Sequence, residues 1–127
     1  MRGLGKMRVT IVSLVMAAFL IPAVTARPAM AIETVGSMLP HCEDALDPNA
    51  TGSRIFQGYC MGVVRAVIEL AELNCALGQE PAAVTGGHST GAAIQAFVNW
   101  ARANPSDWEL SPVMGVMIAV RSTFPCE

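Results

Sequence analysis

The chain has 127 residues, a formal net charge of −2 and four cysteines, and 53% of its residues are hydrophobic. Beyond residue 31 the chain has no lysine and no basic patch, which argues against nucleic acid or an anionic lipid surface as a partner.

Arg2, Lys6 and Arg8 precede an uncharged apolar run from Val9 to Val24. The run is too short for a membrane span and has the layout of a secretory signal peptide. Ala29-Met30-Ala31 supplies the small residues a signal peptidase accepts, so residues 1–31 are expected to be removed, with cleavage after Ala26 as the competing site. The mature domain is then residues 32–127, exported to the bacterial periplasm and with no membrane segment left. All ten acidic residues lie in it against four arginines (Arg54, Arg65, Arg102 and Arg121), which leaves a charge of about −6. Such a surface favours a basic partner.

Within this domain apolar positions recur at helical spacing, which predicts an all-α fold of about four helices. The first helix is expected over Glu33 to Asp44, with Val35, Met38, Leu39 and Cys42 on one side and Pro40 interrupting it. Asp47-Pro48-Asn49-Ala50-Thr51-Gly52 reads as a loop, and Thr51 or Ser53 can cap the next helix. That second helix, Ser53 to about Asn74, is the spine of the core, with Phe56, Cys60, Val63, Val64, Val67, Leu70 and Ala71 as its apolar stripe. Gly58 and Gly62 cost it stability, and the expected compensation is close approach of another helix.

Cys75 to Thr90 reads as a long connection punctuated by Gly78, Pro81, Gly86 and Gly87, the first candidate for a recognition element. Ser89 or Thr90 caps a third helix through Ala92, Ile94, Phe97, Val98 and Trp100, which stops before Asn104-Pro105. A turn carrying Trp108 follows, either a lid on the core or a surface contact. Ser111-Pro112 then opens a fourth helix with Val113, Met114, Val116, Met117 and Val120.

An even cysteine count in an exported chain of this size points to a small bundle stapled by two disulfides. Cys60, on the second helix, and Cys75, at its end, are fifteen residues apart, more than about 20 Å at helical rise, and cannot pair with each other. In an up-and-down bundle Cys42 meets Cys60, and Cys75 meets Cys126. If the first helix runs the other way, the pairs are Cys42–Cys75 and Cys60–Cys126.

Chemistry is poorly supported. No CxxC, haem-attachment or zinc-type array joins the cysteines to His41 or His88, so no metal and no cofactor is expected. Ser89 follows His88 without a nucleophile motif, and Glu69 with Glu72, or Glu43 with Asp44, read as solvated helix surface. The expectation is a protein that is not an enzyme and has no catalytic residues.

Several segments in order carry a resemblance: Ser37-Met38-Leu39 before Cys42, Gly58-Tyr59-Cys60-Met61-Gly62-Val63-Val64, Cys75, Val84-Thr85, Trp100 to Pro105, and the terminal Phe124-Pro125-Cys126. Together they resemble the Rap1a/Tai family of periplasmic immunity proteins over nearly the whole mature chain. The resemblance implies a small, helical, disulfide-bonded and often dimeric protein that binds and occludes a peptidoglycan amidase delivered by type VI secretion. Here Cys75 is followed by Ala76-Leu77 rather than proline, and the connection is longer than the family's. Partner contacts are therefore sought in this chain's own loops, at Gln79, Glu80, His88, Trp108 and Glu109. The alternative function is a general periplasmic stress or chaperone-type helical protein, to be told apart by broad binding of unfolded clients at low pH.

Overall fold

A computed structural model describes residues 31–83 and 89–126. The expected signal segment, His88 and the Val84-Thr85 stretch lie outside the described residues, apart from Ala31 at the expected cleavage site. The described chain is an all-α, disulfide-stapled bundle of four helices: α1 (Val35–Leu46), α2 (Arg54–Ala76), α3 (Thr90–Ala103) and α4 (Pro112–Thr123). A 3-10 turn, Pro105–Asp107, links α3 to α4.

α1 forms despite Pro40 because its start is doubly capped. Thr34 Oγ1 accepts from Ser37 N at 3.2 Å while Ser37 Oγ accepts from Thr34 N at 3.0 Å, satisfying two donors a helix start leaves open. The next two N–H groups donate to the segment before α4, Val35 N to Leu110 O at 2.8 Å and Gly36 N to Trp108 O at 3.0 Å. Ser89 and Ser111 cap α3 and α4 by accepting from Ala92 N and Met114 N, and Pro112 stands at the first position of α4. Ser53 precedes α2 without a side-chain cap.

The core lies where the four helices converge. Met38 and Cys42 of α1, Cys60 and Val64 of α2, Phe97 of α3, and Val116 and Val120 of α4 are fully buried. Gly115 lets α4 settle onto α1: a Cβ there would collide with Val35 Cγ2 and lie 3.1 Å from the Trp100 ring. No buried side-chain nitrogen or oxygen among the described residues lacks a partner.

Disulfides join Cys42 to Cys60 and Cys75 to Cys126, with Cα–Cα distances of 5.4 and 6.0 Å. The second ties the C-terminal ends of α2 and α4, which run in the same direction.

Two expectations need correction. Leu70 is not core but 49% exposed, and Ile68 takes the buried position, because α2 carries a second apolar face that the core stripe does not include. Val113 and Met114 at the start of α4 are likewise exposed. Nor does another of the described helices approach Gly58 or Gly62: a Cβ at either would meet nothing within 4 Å among the described residues. Gly58→Ala is therefore expected to raise stability by about 0.5–1 kcal/mol, since it lowers the backbone entropy lost on folding without a clash. A higher urea midpoint at unchanged slope would record it; a lower midpoint would mean that Gly58 is needed as glycine.

Candidate functional site

The residues proposed to contact a partner fall into two groups. Gln79 and Glu80 follow α2, and the segment holding them is built back onto that helix rather than hanging free. Gly78, at φ 64°, turns the chain so that Gln79 N donates to Asn74 O at 2.8 Å. Asn74 Nδ2 then donates to Pro81 O at 2.7 Å, and Ala83 N to Ala71 O at 3.3 Å. Ala82 and Ala83 are buried. Glu80 accepts from Ala82 N at 3.2 Å and pairs with Arg121 of α4, also at 3.2 Å, with its side chain still largely exposed.

The second group, Trp108 and Glu109, sits at the opposite end of α4. Glu109 is exposed. Trp108 is mostly a lid. Its Nε1 donates to Ala101 O at 2.8 Å, its ring lies over Gly36, and 39% of its surface remains open. Twelve residues of α4, about 18 Å at helical rise, separate the groups. Met114, Ile118 and Arg121 lie along the outer side of α4 between them, with Met114 and Arg121 exposed and Ile118 half-buried. Gln79, Glu80, Trp108 and Glu109 thus form no compact cluster. They bracket one helix face, which a partner must span to touch both ends.

Ionic contacts hold this surface together without defining a reactive centre. Arg65 pairs with Glu69 at 3.0 Å and Arg121 with Glu80 at 3.2 Å, both largely in solvent, where such pairs contribute about 1 kcal/mol or less; Arg102 pairs with the partly buried Glu43 at 2.7 Å. Among the described residues no group of three or more His, Cys, Asp or Glu is placed to hold a metal ion. No helix among them is long and apolar enough to cross a membrane.

A further surface escaped the sequence reading. Along α2 and just past its end, Ile55, Tyr59, Gly62, Ala66, Leu70, Leu73 and Leu77 follow one another at intervals of four, three, four, four, three and four residues, and all seven are exposed. Four of them, Tyr59, Gly62, Ala66 and Leu70, line an open apolar groove of about 440 Å³ together with Val63 and Val67 and with Val113 of α4. The surface's spacing is the signal in the sequence, but periodicity alone does not separate it from the core stripe that the same helix carries.

A family model described as Rap1a immunity proteins matches residues 34–126, which hold all four helices and all four cysteines. No curated protein and no solved structure matches the chain.

Proposed function

Because the chain belongs to the Rap1a immunity protein family, we propose that it is an exported, periplasmic immunity protein that binds a peptidoglycan amidase delivered by type VI secretion and occludes its cleft. The observation that carries this reading is the family match across the whole described bundle. Inhibition by occlusion asks for no chemistry from this chain, only a rigid complementary surface. Two features support the reading: two disulfides stiffen the bundle, and acidic side chains stand at both ends of α4, Glu80 at one and Glu109 at the other. A basic rim around an amidase cleft is the matching partner chemistry. We further propose that the protein acts as a homodimer.

The test is capture and inhibition together. The oxidised protein serves as bait against the secreted and periplasmic proteins of the producing strain, and any hydrolase recovered is assayed on peptidoglycan with increasing bait. A stoichiometric amidase whose activity falls to nothing at equivalence is the expected result. Recovery of many unrelated unfolded proteins, more strongly at acid pH, would replace this reading with that of a general stress protein. For the captured enzyme, Glu80→Ala and Glu109→Ala are each expected to weaken binding about tenfold, or 1.4 kcal/mol. Thermal unfolding should barely move, since the Glu80–Arg121 pair is solvated. Unchanged affinity in both variants would remove the α4 face from the interface.

A further inference from the structure

We infer that the exposed apolar face of α2 is where a second copy of this chain docks, the two α2 helices packing antiparallel about a two-fold axis at Ala66. The inference rests on the homodimer proposed above and supplies its surface.

The face is not a scatter of surface apolar residues. At 100° per residue all seven positions from Ile55 to Leu77 fall within about 40° of the direction of Ala66, and at about 1.5 Å per residue they extend about 33 Å. Contiguous exposure of this kind marks an interaction site. It extends onto α4 through Val113, which is 52% exposed.

The occupant is specified by symmetry. In a two-fold contact, if residue i of one copy meets residue j of the other, then j must also meet i. Counted outward from Ala66 the face reads the same both ways: Gly62 and Leu70 at four residues, Tyr59 and Leu73 at seven, Ile55 and Leu77 at eleven. An antiparallel pair therefore sets Leu70 over Gly62 of the second copy, Leu73 against its Tyr59 and Leu77 against its Ile55. Sizes agree with this register. A protruding leucine meets the position with no side chain, where a Cβ would find nothing within 4 Å among the described residues of the single chain. Alanine meets alanine at the axis, where the backbones must come closest.

Charge agrees as well. Arg65 and Glu69, ion-paired at 3.0 Å within one copy, lie along one edge of the face. In the antiparallel pair the two copies bring these edges together, with Arg65 of one copy within about 3 Å, along the axis, of Glu69 of the other. Two arginines and two glutamates gather there as a neutral set, which an acidic chain needs if it is to pair with itself. A footprint of roughly 33 by 12 Å per copy is smaller than a standard interface, so a dimer of about micromolar affinity or weaker is expected.

The experiment is sedimentation equilibrium on oxidised protein produced from the full chain, taken up to about millimolar concentration, with A66R and A66C beside it. The expected result has three parts: a mass that doubles with concentration, a dissociation constant raised at least tenfold by A66R, and a covalent dimer from A66C on mild oxidation. Ala66 is exposed and arginine is a good helix former, so an unchanged melting temperature in A66R is expected and shows that the fold is intact. A dimer that persists in A66R, with no cross-link from A66C, overturns this surface and leaves the homodimer standing. Wild-type protein that stays monomeric throughout overturns both. If in that case A66R also fails to bind the captured amidase, the face belongs to the amidase instead.

Discussion

Replacing Cys75 and Cys126 together by serine is expected to cost about 4 kcal/mol of stability, and replacing Cys42 and Cys60 together by alanine at least as much. The first disulfide closes 51 residues of chain and the second 18, for which loop-closure entropy assigns about 4 and about 3 kcal/mol respectively. The shorter loop catches up because Cys42 and Cys60 are fully buried, so their loss also removes core packing. Against a total of roughly 5–15 kcal/mol for a domain, either change is severe and full reduction should leave the bundle marginal or unfolded. The two variants should also differ in kind. Losing the 51-residue loop mainly loosens the unfolded chain and should steepen the urea dependence, whereas losing the buried pair disturbs the native core. Urea unfolding of both variants measures midpoint and slope together. A cost below about 1 kcal/mol for the Cys75–Cys126 pair would mean that helix packing alone holds α4.

The helices were legible because burial in a small bundle imposes a 3.6-residue repeat on whatever faces the core. Phe97, Val98 and Ala101 on α3 and Val116, Met117 and Val120 on α4 carry that repeat, and serine or serine-proline caps mark the start of both helices. α1 was legible only in outline. Pro40 is a local signal against a helix, and the Thr34–Ser37 capping pair with the two bonds from the segment before α4 outweighs it. Frequent glycine and proline mark the connection after Cys75 as loop, yet Asn74 and Ala71 fold its first half back onto α2. Those bonds depend on where the chain returns in space, which composition does not encode.

The interaction surfaces were less legible for a physical reason. A helix face that meets the same chain and one that meets another chain are apolar in the same way, so periodicity alone merged the two faces of α2 and sent Leu70 inward. Only burial separates them: Val64 and Val67 are closed off while Leu70 and Leu73 stand open. The two glycines are informative in the opposite sense to the expected one, since no described residue stands within 4 Å of a Cβ placed on either. Residue type marks a loop side chain as a candidate contact, but type does not say which tryptophan is already committed to the fold.

Trp108 is the case where that distinction has the largest consequence. Its indole donates at 2.8 Å to the carbonyl of Ala101 in the last turn of α3, a carbonyl that also accepts from Asn104 N at 3.3 Å. Its ring rests on Gly36 at the start of α1, and its backbone oxygen accepts from Gly36 N. One side chain thus joins the end of α3 and the beginning of α1 just ahead of α4. Trp108→Ala is accordingly expected to cost about 2–3 kcal/mol, less than for a fully buried tryptophan because 39% of the residue is in solvent. Trp108→Phe keeps the ring on Gly36 and forfeits the bond to Ala101, so it should recover all but about 1–2 kcal/mol. The pair of variants also separates the two roles assigned to this residue. If the exposed edge of the ring contacts the amidase, the phenylalanine variant should keep most of its affinity at intermediate stability while the alanine variant loses both. Affinity that follows stability step for step through Trp, Phe and Ala would mean that Trp108 serves the partner only by holding α1, α3 and the start of α4 together. Wild-type stability in Trp108→Ala would show that the indole bond and the contact with Gly36 hold nothing.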